Sequence, residues 1–166
     1  NPRRTLVWVD RQDRETPIPA PPRSYLYPRL SPDGTRVAVF VADQELDVWV
    51  WDLGRTTLTR ATFDPRFDLY PEWTPDGRRV IFASNRSGSR QILMTNVAGS
   101  GQDEPLTTGP DSKMANDWSR DGQYLLYEQS GAATNRDLLA LRPDGDRKPI
   151  VVLQTPFNES VGQFSP

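Results

Sequence analysis

One five-residue pattern recurs at nearly even spacing and constrains the fold more than any other feature of the chain. With the hydroxyl residue of each copy as the mark, the steps from Ser31 to Thr74, to Ser119 and to Ser165 are 43, 45 and 46 residues. A period of this length is typical of propeller blades, in which each repeat forms a four-stranded sheet. The chain is therefore predicted to be a row of similar sheets. The copies are Leu30-Ser31-Pro32-Asp33-Gly34, Trp73-Thr74-Pro75-Asp76-Gly77, Trp118-Ser119-Arg120-Asp121-Gly122 and an incomplete Phe164-Ser165-Pro166.

Each repeat carries its strand and turn signals in the same order. A strand leads into the Pro-Asp-Gly turn, a second strand follows, and two further strands come after polar or Gly-rich loops. In such a turn Pro sets φ, Asp hydrogen-bonds the backbone ahead of it, and Gly accepts positive φ without steric cost. The second repeat predicts strands at 70–73, 79–83, 91–95 and 105–107 with a Gly-rich turn at 98–101; the first predicts 36–41, 46–52 and 58–62, and the third 123–127, 137–141 and 150–153.

A large apolar residue precedes every turn, and incomplete repeats flank the three whole ones. The apolar residues are Leu30, Trp73, Trp118 and Phe164, which we expect to lie in the contact between adjacent blades. The predicted fold class is an all-β β-propeller of four-stranded antiparallel blades, with three complete blades and a partial blade at each end. As a domain, residues 1–166 form a single incomplete propeller with a half-blade at 5–20, blades at about 25–66, 67–111 and 112–157, and a stub at 161–166.

The composition excludes several classes of function. The chain has no Cys and no His, which removes Ser-His-Asp and Cys-His catalysis, Cys/His zinc sites and disulfides. Its formal net charge is -2, and its Arg residues are interleaved with Asp and Glu, so there is no basic field to hold nucleic acid. No apolar run approaches the length of a membrane span. We therefore expect no cofactor, no nucleic-acid partner and no membrane insertion.

The repeats resemble those of the TolB-type β-propeller family, whose units combine a Trp-Ser-Pro-Asp-Gly hairpin with an apolar strand and a polar loop. The resemblance covers nearly the whole chain from Thr5 and is closest in the second unit, at 70–77, 83–88 and 106–107. The third unit departs from the pattern with Arg120 in place of Pro and a longer loop at 129–135. Similar repeats occur in periplasmic translocation-associated proteins, in extracytoplasmic sensor regions of bacterial kinases and in the gating propellers of serine peptidases. The resemblance thus implies a periplasmic or other extracytoplasmic location.

An arc of three and a half blades cannot close into a ring. Closed propellers use roughly four to eight blades, because each blade covers the apolar face of the next. The two open faces would together expose apolar area on the order of several hundred Å², which would cost around 10 kcal/mol, comparable to the stability of a whole domain. The half-blade strand around 6–9 also presents an unpaired edge. We therefore expect the partner to be the remainder of a longer propeller, or further copies in a homo-oligomer such as a dimer.

Two sets of polar and aromatic residues are candidate sites. One column precedes each turn on the innermost strand and is predicted to line the central channel, either as a polar or ion-binding mouth or as an ordinary hydrated wall. Its carboxylates fall short of the six to eight oxygen ligands that Ca²⁺ requires, so no metal site is assigned. The second set lies on loops that lead into the inner strands and is predicted to contact a protein partner. The channel column is Arg29, Glu72, Asp117 and Gln163; the partner-binding set is Tyr25, Tyr27, Arg66, Phe67, Lys113 and Met114.

The predicted function is a non-catalytic β-propeller scaffold for protein–protein interaction or ligand sensing. The alternative is the propeller domain of a peptidase or glycan-active enzyme whose catalytic residues lie outside this chain. Within the chain, Glu72 and Asp117 are the pair that glycoside hydrolysis could use, since that reaction needs two carboxyl groups about 5 to 9.5 Å apart. We assign no catalytic residue and expect no enzymatic activity of the chain alone.

Overall fold

The computed structural model describes residues 2–97, 102–131 and 135–165, and these residues form strands without any helix. Accordingly, none of these residues belongs to a helix able to cross a bilayer. The strands are β1 (Val7–Val9), β2 (Glu15–Pro17), β3 (Tyr25–Leu30), β4 (Arg36–Ala42), β5 (Leu46–Asp52), β6 (Thr57–Arg60), β7 (Asp68–Trp73), β8 (Arg79–Ser87), β9 (Ser89–Asn96), β10 (Glu104–Pro105), β11 (Ser112–Trp118), β12 (Leu125–Ser130), β13 (Asp137–Leu141) and β14 (Ile150–Leu153).

The strands form three antiparallel four-stranded blades and one two-stranded hairpin. Blade 1 is β3-β4-β5-β6, blade 2 is β7-β8-β9-β10 and blade 3 is β11-β12-β13-β14, while β1 pairs with β2. The fold class predicted from the repeats is confirmed. The inner strands β3, β7 and β11 contact one another in sequence, as neighbouring blades around an axis do. The first strand of each blade therefore faces the centre of the arc.

Most predicted strands are found in place, with differences at their ends. The strands predicted at 46–52, 137–141 and 150–153 are β5, β13 and β14 without change. In blade 3 the strand predicted at 123–127 instead begins at Leu125 and ends at Ser130, because Ser130 pairs with Ser112 at the start of β11. The predicted long loop at 129–135 therefore begins inside a strand. The turn predicted at 98–101 lies outside the described residues.

The repeated turn is held by one hydrogen-bond network centred on its aspartate. In blade 1 the hydroxyl of Ser31 donates to Asp33 Oδ1 at 2.6 Å, and the Thr35 amide donates to the same oxygen at 3.1 Å. The Ser31 hydroxyl in turn accepts from the amide of Arg36 at 2.9 Å. These bonds to the ionised carboxylate, led by the Ser31 hydroxyl, lower the pKa of Asp33 to about 2.

The same network explains why the third turn tolerates the loss of its proline. In blade 3 the Ser119 hydroxyl donates to Asp121 at 2.6 Å, and the amide of Tyr124 donates back to Ser119 at 2.9 Å. Arg120 takes no part in these bonds. Gly122 has a φ of 69°, close to the values of 70° and 64° at the other two turns. The hydroxyl, Asp and Gly therefore specify the turn, and the residue between hydroxyl and Asp does not.

Apolar side chains fill the spaces between successive blades. Trp73 is 3% exposed and packs with Val48, Val80 and Phe82 in the seam between blades 1 and 2. Trp118 packs at the edge of the next seam. Leu30, at the equivalent position of blade 1, is exposed by 48%, so the expectation that it lies in a core is wrong. In blades 2 and 3 the apolar residue before the turn packs on the inner strands of the preceding blade. Before blade 1 the described residues form only the hairpin of β1 and β2, which corresponds to the outer strands of a blade.

The partial blades at the two ends differ in structure. The hairpin packs on blade 1 through Leu6 and Ile18, both buried. The inner strand predicted at 161–166 is not formed: residues 161–165 form no strand, and Pro166 is not described. In blades 1 to 3 the inner strand pairs with the strand that follows the turn. Residues 161–165 make no such pairing within the described chain. Gly162 nevertheless packs so closely on Leu126 and Leu138 that a Cβ would lie 2.9 Å from both side chains.

Candidate functional site

The inner strands β3 and β7 are each interrupted by a bulge four residues before the hydroxyl of the turn. The pairing register shifts between Leu26 and Arg29 in β3 and between Leu69 and Glu72 in β7. Within these bulges Tyr27 and Tyr70 adopt positive φ values of 51° and 53°. A bulky residue in this region is strained, and such strain clusters at binding and switch sites. The recurrence of the strain at one place in two blades makes this end of the arc a candidate site.

The bulges turn the tyrosine rings toward each other across the seam between blades 1 and 2. The rings of Tyr27 and Tyr70 meet edge to face with centroids 4.7 Å apart. Phe40 of β4 stacks on Tyr27 at 5.6 Å and meets Tyr70 edge to face at 5.9 Å. Each pair has a geometry that aromatic rings favour. The three rings form a packed aromatic wall, and Tyr27 remains 48% exposed.

A cavity of about 360 Å³ opens beside this wall and is lined by all three blades and the C-terminal segment. Two ion pairs lie among its lining residues. Arg29 Nε lies 2.8 Å from Glu72 Oε2, whereas Arg136 Nη1 is 4.0 Å from Glu128 Oε1. Met114 adds an apolar, flexible side chain to the floor. The cavity thus offers aromatic faces, a soft apolar surface and charges of both signs.

Three of the four residues predicted to line the channel do line this cavity. They are Arg29, Glu72 and Gln163. Asp117 is not among the lining residues, because its oxygens accept bonds from two backbone amides: Oδ1 from Trp118 at 2.9 Å and Oδ2 from Phe164 at 2.8 Å. Asp117 therefore attaches the C-terminal segment to blade 3. The assignment of the column to a central channel stays a prediction.

The structure divides the six predicted partner-binding residues by exposure. Tyr27, Arg66 and Phe67 are exposed, and Met114 is half-buried in the cavity wall. Tyr25 and Lys113 are buried, so the expected exposure is wrong for these two. Tyr25 packs in the first core cluster and its hydroxyl donates to the carbonyl of Pro21 at 2.7 Å.

Lys113 is buried for a structural reason that its sequence position does not reveal. Its ammonium donates to the carbonyls of Thr108 and Asp111, both at 3.1 Å. Burial lowers the pKa of Lys113 from its ordinary value. These bonds close the loop between blades 2 and 3, so the side chain is not available to a partner.

A buried ion pair in blade 2 was not recognised from the sequence. Asp68 is fully buried at the start of β7, and its two oxygens accept from Arg86 Nη2 at 3.1 and 3.0 Å. Arg86 also reaches Asp103 at 2.6 Å. Burial raises the pKa of Asp68 above its ordinary value. Side chains alternate between the two faces of a strand, and Asp68 of β7 and Arg86 of β8 lie on the same face. Because the two residues are 18 positions apart, no local sequence pattern predicts that they pair.

A larger cavity of about 610 Å³ is lined by the segment before β3, the β4–β5 loop and residues of β5 and β6 in blade 1. The guanidinium of Arg23 covers the Trp49 ring there at 4.2 Å and also pairs with Asp43 at 2.8 Å. Arg60 pairs with Glu45 at 2.6 Å and with Asp47 at 2.8 Å. Each of these two arginines is thus paired with carboxylates of blade 1. The described residues contain no group of three or more Asp or Glu arranged to hold a metal ion in either place.

The family follows from a match to the sequence model of the TolB beta propeller domain, which extends over residues 10–166. The chain belongs to the TolB β-propeller family. A search of curated proteins found no match. As a TolB-type propeller, the chain superposes on TolB from Acinetobacter baumannii with a TM-score of 0.75 and 23% identity, covering 90% of this chain and 37% of that one.

Two further structures share the fold of this TolB-type chain. TolB from Agrobacterium tumefaciens aligns with a TM-score of 0.65 and 21% identity over 90% of this chain and 62% of its own. Oligogalacturonate lyase from Vibrio parahaemolyticus aligns with a TM-score of 0.65 and 11% identity over 93% of this chain and 47% of its own. The chain spans about a third to two thirds of the length of these structures. At these identities the likeness describes the fold.

Proposed function

We propose that the chain is a non-catalytic propeller scaffold that binds a segment of a partner protein in the cavity beside Tyr27 and Tyr70. The single observation that carries the proposal is the aromatic wall built from two strained tyrosines on adjacent inner strands. Aromatic and Arg side chains are enriched at the energetic centres of protein interfaces, and Arg29 stands at the same cavity. Strain that recurs beside an open cavity is better explained by a binding role than by packing alone.

The proposal includes an extracytoplasmic location, which rests on the resemblance of the repeats to periplasmic TolB-type propellers. It also includes completion of the arc by additional blades, from a longer chain or from further copies of this one. The exposed apolar side chains at the two open faces support this part, because Leu30, Ile150 and Leu153 are each exposed by 45% or more. Apolar area of this kind is usually covered in a stable assembly.

Photo-crosslinking tests the binding role directly. A benzophenone amino acid is placed at Tyr27 in the cavity wall or, as a control, at Thr57 on the outer strand of the same blade. In cells of the source organism we expect one specific protein adduct at position 27 and none at position 57. The captured protein, once purified, should bind the chain about tenfold more weakly after Arg29→Ala. Equal adducts at both positions, or none at 27, would contradict the proposal.

The enzyme alternative is the propeller domain of a peptidase or glycan-active enzyme with its catalytic residues elsewhere. The likeness in fold to oligogalacturonate lyase is the observation that favours it. The carboxylates of Glu72 and Asp117 are engaged by Arg29 and by backbone amides, an arrangement suited to structural roles. A Gly-x-Ser-x-Gly stretch in the gene downstream of these residues would favour this alternative. Glycan cleavage by the purified chain alone, lost on Glu72→Gln, would contradict both the scaffold and the alternative, because it would place the catalytic pair inside the chain.

Solution mass tests the completion of the arc. Sedimentation of the purified chain should give a mass above that of one copy if copies cover the open faces. Leu153→Arg, which places a charge on the open face of blade 3, should then reduce the assembly to single chains. A well-folded monomer at high concentration would contradict completion by copies, and additional blades would then have to come from a longer chain.

A further inference from the structure

A buried glutamate in the cavity wall breaks the repeat. The second strands of the three blades can be aligned by the residue that pairs with Leu30, Trp73 or Trp118. Three residues further along, the equivalent position holds Phe40 in β4, Ala83 in β8 and Glu128 in β12. The first two are apolar, as expected for a strand buried between blades. Glu128 is 6% exposed and lines the cavity. A charge at a position that packing would leave apolar points to a ligand.

Glu128 has no close partner among the described residues. Its nearest cation is Arg136, whose Nη1 stands 4.0 Å from Oε1, and none of the described groups donates a hydrogen bond to its carboxylate. The side chain of Arg136 is half exposed at the rim. An ion pair of this length with one solvated member contributes little. The Glu128 oxygens are not fully enclosed by protein, so the carboxylate faces the cavity and can accept hydrogen bonds from a ligand.

The other charges of the cavity do not compete for this position. Arg29 is held by Glu72 at 2.8 Å. Tyr27 and Tyr70 also line the cavity, and aromatic rings of this kind attract cations. Met114, directly opposite Glu128 across the β11–β12 ladder, contributes an apolar contact for an alkyl stem.

We propose that the cavity accepts an alkylammonium or alkylguanidinium group, such as a Lys or Arg side chain of the partner, which pairs with Glu128. This assignment rests on the proposed binding function and names the chemistry of its ligand. The cation displaces Arg136 from Glu128 and donates hydrogen bonds at short range. Its stem lies against Met114 and the ring of Tyr70.

The two methionines of the chain provide a built-in readout. Met114 lines the cavity, whereas Met94 is 2% exposed in the core between blades 2 and 3. In protein labelled with ¹³C at the methionine methyl groups, n-butylammonium and n-butylguanidinium should shift the Met114 signal in a saturable way. The Met94 signal should remain in place. Butanamide and butyrate, of the same length, should have weaker effects.

Variants of the ion pair separate charge from shape. Glu128→Gln keeps the size of the side chain and should weaken n-butylammonium binding about tenfold, whereas Glu15→Gln on the exposed strand β2 should not change it. Arg136→Gln removes the competing cation and should strengthen n-butylammonium binding. This variant changes an exposed side chain, so it tests the inference even where Glu128→Gln fails to fold.

The outcomes distinguish this inference from the proposed function. A Met114 shift caused best by butyrate would overturn the cationic ligand while leaving the cavity a binding site. Equal shifts with all four probes, unchanged by Glu128→Gln, would also overturn it. No Met114 shift with any probe overturns it as well, and crosslinking at Tyr27 then decides the proposed function independently.

Discussion

The indole nitrogen of Trp73 donates a hydrogen bond to the carbonyl oxygen of Arg29, 2.9 Å away on the inner strand of the preceding blade. The bond joins the seam between blades 1 and 2 directly to the cavity wall, since Arg29 lines the cavity. Trp118 occupies the same place one blade later. Its indole nitrogen is buried and has no hydrogen-bond partner among the described residues. The two tryptophans are thus equivalent in the repeat but different in their bonding.

This difference predicts unequal costs for the same substitution. Trp73→Phe removes a buried bond and leaves the Arg29 carbonyl without its donor, whereas Trp118→Phe removes a donor that has no acceptor. The free energy of unfolding should therefore fall by about 1 kcal/mol more for Trp73→Phe than for Trp118→Phe. Urea titrations followed by circular dichroism measure both. Equal losses would show that the indole bond contributes nothing to the seam.

The turn glycines predict a second contrast. Gly77 has a φ of 64°, and a Cβ there would meet only Pro32 and Arg36 at ordinary contact distances of 3.6 and 3.9 Å. Gly77→Ala should thus lower the free energy of unfolding by roughly 1–2 kcal/mol through backbone strain alone. Gly54 lacks a positive φ, so Gly54→Ala serves as the matched control and should be neutral or slightly stabilising. The same urea titration compares them, and an equal loss in both would exclude strain as the cause.

The depressed pKa of Asp33 predicts how the first turn responds to acid. Hydrogen bonds led by the Ser31 hydroxyl lower this pKa from 3.8 to about 2. A carboxyl with a lowered folded-state pKa stabilises the fold above its unfolded pKa and loses that contribution as pH falls through the folded value. The stability difference between wild type and Asp33→Asn should therefore be full at pH 5 and shrink between about pH 4 and pH 2. A difference that stays constant over this range would contradict the assignment.

The buried pair in blade 2 predicts the opposite pH response. Arg86→Leu leaves Asp68 buried without its guanidinium and should lower the free energy of unfolding near neutral pH by about 3 kcal/mol. Burial already raises the pKa of Asp68, and loss of Arg86 raises it further. A group with a raised folded-state pKa stabilises the fold below its unfolded pKa and loses this as pH rises.

The destabilisation by Arg86→Leu should accordingly shrink toward acidic pH, where Asp68 is protonated. Thermal unfolding from pH 4 to pH 8 measures this trend. Asp68→Asn combined with Arg86→Leu should remove the pH dependence. If the double variant keeps the dependence of the single one, another group is responsible.

The sequence by itself determined the blade order, because hydroxyl, Asp and Gly form a turn from local bonds alone. The networks at Ser31 and Ser119 span no more than five residues, so their pattern is readable without a fold. The same local logic located β5, β13 and β14 to the residue. The period also assigns Arg29, Glu72, Asp117 and Gln163 to equivalent positions, and their place in a channel stays a prediction.

Only the tertiary structure decided which side chains are free to bind. The exposure of Tyr27 and the burial of Tyr25 and Lys113 depend on contacts made by other strands and loops. The bulges at Tyr27 and Tyr70 shift the register of the inner strands, and no pattern in the sequence predicted that shift. The bonding of Asp117 to Phe164 joins residues 47 apart. Such relationships arise from burial and long-range packing, which a periodic sequence specifies only once its blades are stacked.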